Sequence, residues 1–204
     1  GNLAVSDAYY CAISSGSCGT VNTSTTSITV YGNLTAVISG GTSPICYNTS
    51  PGFFVATAGG GVGSYGYQWY NSSGSIGGAT ASTYAPGNLV ASDAYHCVVT
   101  DAICGSVSTT TTSITVDGIL TATISGGASP LCYNNAPGTF TASASGGTGS
   151  YLYQWYNLSG SVSGATASTY APGNRTASEV FYCAVTSGSC GTVNTTTTNI
   201  TVYG

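Results

Sequence analysis

Cysteines dominate the side chains of this 204-residue sequence that are capable of covalent chemistry. The chain has eight of them, against one histidine and five carboxylates. Thiols form disulfides in an oxidising compartment, or bind zinc as thiolates. Zinc sites favour C-x2-C pairs, and the sequence contains none. The cysteines therefore predict disulfides and an extracellular or cell-surface protein.

The single histidine, His96, is the one residue on which a catalytic triad could be built. Asp93 lies three residues before it, but a serine–histidine–aspartate triad needs three converging groups. In an extended strand successive side chains point to opposite faces. His96 is therefore expected to face outward, away from Cys97, and the sequence predicts no catalytic residue and no enzyme.

Charge is scarce, which excludes two classes of partner. Charged residues make up 3% of the chain, Lys and Arg together number one (Arg175), and the formal net charge is -4. Binding to nucleic-acid phosphates requires clustered Lys and Arg, and so does binding to an anionic membrane surface. No apolar run approaches the roughly 20 residues of a membrane span. We expect neither a nucleic-acid partner nor membrane insertion.

An internal repeat of 86 residues organises the sequence, as the spacing of Trp69 and Trp155 shows. Residues 33–118 align with residues 119–204 without a gap, whereas residues 1–32 match only the last part of a repeat. We expect two full repeats, preceded by the C-terminal part (strands F and G) of another. Either an upstream portion is missing, or these first strands complete a sandwich with another chain; we favour the first explanation.

The carboxylates form no site that the repeats share. A glycosidase needs a pair of carboxylates, and a calcium site needs several converging oxygens. Asp7, Asp93 and Glu179 recur at one repeat position, but singly. They predict caps on a turn, and the sequence predicts no metal and no cofactor.

Short strand-like runs separated by Gly, Pro, Asn and Ser turns predict an all-β fold for each repeat. In the first full repeat these runs are 53–58, 65–70, 94–100 and 106–116. Period-2 alternation gives each run one inward face. The predicted core residues lie on those faces: Trp69, Trp155, Tyr95 and Phe181.

The segments around each tryptophan resemble a known family. YQWY at 67–70 and 153–156, followed by SDAYHC at 92–97 or SEVFYC at 178–183, is similar to strands C and F of bacterial immunoglobulin-like repeats of secreted and surface proteins. The resemblance covers the whole chain. It implies tandem immunoglobulin-like β-sandwich repeats of 86 residues, used as spacer or adhesive modules, and it implies no particular ligand.

One departure from the family leaves the cysteine pairing open. The usual bridge between strands B and F needs a cysteine in strand B, and residues 54–58 contain none. We expect Cys46–Cys104 and Cys132–Cys190, because this pairing closes the longer loop and stabilises by roughly 4 kcal/mol in the chain-entropy model. The alternatives are hairpin bridges or a bridge between neighbouring repeats. The hairpin bridges would be Cys11–Cys18, Cys97–Cys104 and Cys183–Cys190.

Glycans are a second expected modification, since nearly uncharged sheets need cover or assembly to avoid edge-to-edge association. Eight N-x-[ST] sequons provide candidate N-glycan sites: Asn22, Asn33, Asn48, Asn71, Asn157, Asn174, Asn194 and Asn199. Two threonine runs provide candidate O-glycan sites: Thr109, Thr110, Thr111, Thr112, Thr195, Thr196, Thr197 and Thr198.

The connection between the two full repeats, residues 116–120, contains no spacer. So short a connection favours a stiff rod. We expect a structural component of an extracellular filament or cell-surface stalk, glycosylated, whose partners are copies of itself or neighbouring repeats. The alternative is an adhesive module that recognises carbohydrate or protein through its loops.

Overall fold

The computed structural model describes residues 2–204, and nearly all regular structure there is β-strand. Val, Ile, Thr and Tyr favour this state because their side chains pack well on a pleated surface. None of the segments in residues 2–204 is a helix with the length and hydropathy that crossing a bilayer demands.

The first 32 residues contain two antiparallel strand pairs, β1 with β4 and β2 with β3. A 3₁₀ turn, η1, separates β2 from β3. The bounds are β1 (Asp7–Tyr9), β2 (Ala12–Ser14), η1 (Gly16–Cys18), β3 (Thr20–Asn22) and β4 (Thr26–Ile28).

The first full repeat contributes ten short strands. They are β5 (Thr35–Gly40), β6 (Ile45–Cys46), β7 (Phe54–Gly59), β8 (Tyr65–Asn71), β9 (Gly74–Ser75), β10 (Thr83–Tyr84), β11 (Asp93–Asp101), β12 (Gly105–Ser108), β13 (Thr112–Ile114) and β14 (Val116–Asp117). One sheet has the order β10-β7-β5, and the other has the order β12-β11-β8-β9 with β13 also on β11. This is the two-sheet order of an immunoglobulin-like sandwich.

The second full repeat has the same strands in the same order. They are β15 (Thr121–Gly126), β16 (Leu131–Cys132), β17 (Phe140–Ser145), β18 (Leu152–Asn157), β19 (Gly160–Ser161), β20 (Thr169–Tyr170), β21 (Glu179–Thr186), β22 (Thr192–Asn194), β23 (Thr198–Ile200) and β24 (Val202–Tyr203), with a 3₁₀ turn, η2 (Gly188–Cys190), between β21 and β22. The sheets are β15-β17-β20 and β19-β18-β21-β22, with β23 on β21. The predicted fold class, tandem immunoglobulin-like sandwiches, is confirmed.

The core of each sandwich is built around one tryptophan. Trp69 is fully buried, its ring centroid lies 6.1 Å from that of Phe54, and its Nε1–H donates to the Ala81 carbonyl at 2.9 Å. In the second repeat Trp155 is buried against Phe140 at 6.0 Å. The other two predicted core residues, Tyr95 and Phe181, are 2% and 0% exposed.

Glutamine supports each tryptophan from the same strand. Gln68 Nε2 donates to the carbonyls of Trp69 at 2.9 Å and Ile76 at 2.8 Å, and Gln154 makes the equivalent pair of bonds. Each of these carbonyls also accepts a backbone N–H, that of Trp69 from Ile76 and that of Ile76 from Ala79, so the amide uses the second lone pair of each oxygen.

The predicted single last strand, 106–116, is wrong: the structure divides it into β12, β13 and β14. Thr109 causes the first break. Its N–H donates to the Cys97 carbonyl at 2.9 Å, and its Oγ1 accepts from the Cys97 N–H at 3.0 Å. The side chain thus takes a bond that a backbone carbonyl would make in a regular ladder, so the strand is interrupted there.

The second break lies between β13 and β14, and after it the end of the predicted strand pairs with a different segment. Val116 and Asp117 pair in parallel with Ile45 and Cys46, and Val202 and Tyr203 pair likewise with Leu131 and Cys132.

The chain folds as two compact units. The first contains residues 1–41, 52–85 and 93–113, and the second contains residues 42–51, 86–92 and 114–204. The first full repeat therefore contributes three segments to the second unit, residues 42–51, 86–92 and 114–118.

Candidate functional site: the disulfide junction

A disulfide joins Cys46, in β6, to Cys190, at the end of η2. The two Cα atoms are 5.3 Å apart and 144 residues apart in sequence, and the Cα distance lies in the usual range for a bridge. Both cysteines lie in the second unit. The bond links a loop of the first full repeat to a hairpin of the second.

The predicted pairing of Cys46 with Cys104 and of Cys132 with Cys190 is therefore wrong. A disulfide requires its two Cα atoms within about 7 Å, and the partner that comes within reach of Cys46 belongs to the next repeat. Loop length, on which the prediction was based, affects how much a bridge stabilises. It does not decide which sulfurs meet.

The Cys46 side of the junction is held by backbone pairing on both flanks. Ile45 is buried and its N–H donates to the Thr115 carbonyl at 2.9 Å, next to the parallel pair of β6 and β14. Thr49 Oγ1 donates to the Cys46 carbonyl at 2.6 Å. The loop that presents the sulfur is thus tied down by contacts other than the disulfide.

The Cys190 side is held by a buried serine. The N–H of Cys190 donates to the Ser187 carbonyl at 2.8 Å, and the N–H of Ser187 donates to the Gly191 carbonyl at 3.0 Å. Ser187 Oγ accepts the N–H of Thr148 at 3.0 Å, which ties this hairpin to the loop before β18. Residues 15–19 repeat the same two backbone bonds around Cys18.

The equivalent hairpin of the first full repeat uses a carboxylate instead. Asp101 is 2% exposed; its Oδ1 accepts from the N–H groups of Cys104 and Ile103, and its Oδ2 accepts from Val62. The bond from Cys104, helped by the other two, outweighs burial and lowers the pKa of Asp101. Partial desolvation of the sulfur and then the negative charge of Asp101 raise the pKa of the Cys104 thiol, although the residue as a whole is exposed.

The cysteines on β11 and β21 are buried thiols, so the alternative hairpin bridges are not formed either. Cys97 and Cys183 are 0% exposed, and Cys97 is in register with Trp69. Burial raises the pKa of both thiols. Cys97 points into the sandwich while Cys104 is exposed on its hairpin, so their sulfurs are on different sides of the fold. Cys11 and Cys18 are both free and exposed.

Most sequon asparagines lie on the surface. Six are exposed: Asn22, Asn33, Asn48, Asn174, Asn194 and Asn199. The other two, Asn71 and Asn157, are half-buried at equivalent positions. Asn71 Nδ2, the atom that an N-glycan would occupy, donates to Asp93 Oδ2 at 3.1 Å.

Two of the candidate threonines are unsuitable for O-glycans. Thr109 and Thr195 are buried, and their hydroxyls accept the N–H groups of Cys97 and Cys183 and donate to the next carbonyl. The exposed members of the runs are Thr110, Thr111, Thr196 and Thr197, and the half-buried members are Thr112 and Thr198.

His96 lies on the outer face of its sheet and stacks on a cross-strand ring. It is half-buried, and its ring centroid is 5.0 Å from that of Tyr70 with 9° between the planes. Tyr182 and Tyr156 make the same stack at 4.9 Å in the second repeat. Such a cross-strand pair contributes to sheet stability.

The carboxylates serve local structure. Asp93 Oδ1 accepts from the N–H groups of Ser72 and Ala94. Partial burial raises the pKa of Asp93, but the bonds from Ser72, Ala94 and Tyr95 outweigh it, and the net effect lowers the pKa. Glu179 pairs with Arg175 at 2.9 Å. Across residues 2–204, no three or more His, Cys, Asp or Glu side chains are grouped as metal ligands.

Several solved structures align with this chain. Extracellular domains 3–5 of Drosophila OTK align with a TM-score of 0.50 and 16% identity, over 97% of this chain and 71% of that one. The four N-terminal Ig domains of Dscam1 isoform 6.9 align with a TM-score of 0.42 and 16% identity, over 78% and 43%. The fibronectin(III)-like modules of Clostridium thermocellum CbhA align with a TM-score of 0.39 and 12% identity, over 83% and 93%. The chain thus aligns with less than half the length of the Dscam1 fragment, and at this identity the likeness to OTK shows the fold alone.

No curated protein matches the sequence. A family model does: the domain of unknown function DUF8696 matches residues 35–118 and again residues 121–204. Each match covers one full repeat of the sandwich, and together they cover most of the chain, which therefore belongs to the DUF8696 family.

Proposed function

We propose that this chain is a stretch of an extracellular structural filament or cell-surface stalk, built from tandem immunoglobulin-like repeats and carrying glycans. The observation that carries the proposal is the Cys46–Cys190 disulfide. It gives two neighbouring repeats a covalent connection besides the backbone. A shaft under tension gains from such a second connection, because the backbone link between repeats is then no longer the only one that resists extension.

The short backbone link supports the same proposal. β14 ends at Asp117 and β15 begins at Thr121, which leaves residues 118–120 between them. Within the second unit, the Gly147 N–H donates to the Gly118 carbonyl at 2.8 Å, so the link itself is hydrogen-bonded. A linker of this length and bonding has little conformational freedom compared with a flexible Gly/Ser spacer.

The scarcity of charge on the sheets supports the glycan part of the proposal. With charged residues at 3%, the sheets lack the charges that usually prevent edge-to-edge association. Six exposed sequon asparagines provide places where hydrophilic cover can be attached. Disulfides and N-glycans both belong to an extracellular or cell-surface setting.

Electron microscopy of the native protein tests the structural role. We expect long filaments with a regular axial period set by the repeat, which survive in buffer without reductant. Short arms that end in a distinct head would instead support the alternative, an adhesive module for carbohydrate or protein.

Mass spectrometry of chymotryptic peptides tests the glycans, because one arginine and no lysine leave trypsin almost no sites. Asn48 and Asn134 form a matched pair: they are 86 residues apart and both have a left-handed backbone, with φ of 58° and 62°, but only Asn48 is in a sequon. We expect glycan mass on exposed sequon peptides such as that of Asn48 and none on that of Asn134. Unmodified peptides at all eight sequons would contradict the N-glycan part and leave the filament part standing.

A further inference from the structure

Five cysteines fall into two classes by their place in the repeat. The loop cysteines, Cys46 and Cys132, end β6 and β16. The hairpin cysteines, Cys18, Cys104 and Cys190, lie between β2 and β3, β11 and β12, and β21 and β22. The disulfide joins the loop cysteine of one repeat to the hairpin cysteine of the following repeat.

This pairing rule, from the loop cysteine of one repeat to the hairpin cysteine of the next, decides where the partners of the other three cysteines would lie. Two full repeats can form one such bond, from Cys46 to Cys190. Cys132 is a loop cysteine whose partner would lie in a repeat after the second. Cys104 and Cys18 are hairpin cysteines whose partners would lie in repeats before their own. All three are free and exposed, as this pairing rule predicts for cysteines whose partner repeats are not among the two full repeats.

Cys132 is presented in the same way as the bonded Cys46. Its strand β16 pairs in parallel with β24, as β6 pairs with β14. The residue before it, Leu131, is buried, and the Leu131 N–H donates to the Thr201 carbonyl at 2.8 Å, matching Ile45 and Thr115. The Asn135 N–H donates to the Cys132 carbonyl at 3.2 Å, as Thr49 does to Cys46. The sulfur of Cys132 is therefore presented by an equivalent loop of the second repeat, held by the same kinds of contacts.

We propose that Cys132 bonds the hairpin cysteine of a further repeat of this kind, and that Cys104 and Cys18 receive the loop cysteines of preceding repeats. The array is then a disulfide ladder, in which every repeat is bonded to the next one. The inference rests on the tandem-array part of the proposed function, but not on the filament morphology or the glycans.

Forming each bond of the ladder requires an oxidant. Two thiols lose two protons and two electrons to become one disulfide, and a small external disulfide such as oxidised glutathione accepts them and becomes two thiols. In the first exchange one cysteine thiolate attacks the external disulfide and releases one thiolate. In the second, the partner cysteine attacks the mixed disulfide and releases the other.

Disulfide mapping of the full-length native protein tests the ladder. Free thiols are blocked with N-ethylmaleimide without reductant, and the protein is digested with pepsin, since acid suppresses exchange by removing thiolates. Peptides around Cys46 (SPICYN) and Cys132 (SPLCYN) differ in sequence, so their partners can be read separately. We expect Cys132 linked to a hairpin peptide of the CG type. Cys132 found blocked by maleimide, or linked to another loop cysteine, would overturn the proposal.

The further repeat can belong to the same chain or to a second copy, and a gel separates the two sources. Bonds within one chain leave the subunit mass unchanged on reduction, whereas bonds between copies give larger species that collapse to one mass. A Cys132→Ser variant of the same protein should free one hairpin thiol per chain for maleimide and leave the Cys46–Cys190 peptide intact. If the variant frees no hairpin thiol, the ladder is wrong.

Microscopy distinguishes failure of the ladder from failure of the proposed function. Filaments in which Cys132 is blocked by maleimide would refute the disulfide ladder and support the filament role. Short arms with a distinct head, in a protein whose ladder bonds are found by mapping, would support the ladder and refute the filament role.

Discussion

Removing the Cys46–Cys190 bond should lower the free energy of unfolding far more than removing the equivalent cysteine one repeat later. The bridge closes a stretch of 144 residues. In the chain-entropy model a loop of that length constrains the unfolded chain by about 5 kcal/mol at 25 °C. For a chain of this size that corresponds to a fall in Tm of about 10–20 °C.

The assay is thermal or urea unfolding of the Cys46→Ser/Cys190→Ser double variant, followed by circular dichroism. The assay uses the 204-residue chain on its own, in which Cys132 is free and exposed. Cys132→Ser is then the matched control, because Cys132 has the same repeat position and surroundings as Cys46 and no further repeat is present to bond it. We expect the control to change stability by less than about 0.5 kcal/mol. The single variants Cys46→Ser and Cys190→Ser should each cost about as much as the pair, since either one removes the bond. Equal effects of Cys46→Ser and Cys132→Ser would refute the reasoning.

Three further outcomes follow from the first full repeat. Gly41→Ala should destabilise by at least about 2 kcal/mol in urea titration, because φ is +76° and a Cβ would lie 2.2 Å from Phe54 Cε1; Gly77→Ala, with open space and no positive φ, is the control and should be near neutral. In the isolated 204-residue chain, where Cys104 is a free thiol, Asp101→Ser introduces the residue that the second repeat has at this position. It should speed iodoacetamide alkylation of Cys104 at pH 7, because it removes a charge that raises the pKa of that thiol; an unchanged rate would contradict this. The lowered pKa of Asp101 contributes stability that is present above the ordinary value of 3.8 and is lost as pH falls through the lower folded-state value. Acid titration of stability should therefore flatten in Asp101→Ser, and an identical profile would count against the hydrogen-bonded carboxylate.

Much of the fold follows from features that are local in sequence. The 86-residue spacing of the tryptophans identifies the repeats, and period-2 alternation places Trp69, Tyr95 and Cys97 on an inward face, where the structure has them. The outward position of His96 follows from the same alternation. These inferences depend on which neighbours share a face, and a strand's geometry fixes that from one residue to the next.

The strand break at Thr109 leaves a weak trace in the sequence, but the alternation of polar and apolar residues alone does not reveal its cause. A threonine occurs twelve residues after Cys11, Cys97 and Cys183 alike, and in all three cases its Oγ1 accepts the cysteine N–H. In sequence this threonine is one member of a polar run with good β propensity. The hydroxyl's role appears only when the cysteine N–H that it satisfies is known.

By itself, the sequence determined the repeat, the all-β class and the inward face of each strand, because those depend on spacing along one chain. Only the tertiary structure decided that Cys46 bonds Cys190. The two loop cysteines have nearly the same neighbours, and every hairpin cysteine is followed by a glycine, so nothing along the chain distinguishes a partner in the same repeat from one in the next. The choice depends on which two Cα atoms come within bonding range, and here the folding of two repeats brings that pair to 5.3 Å.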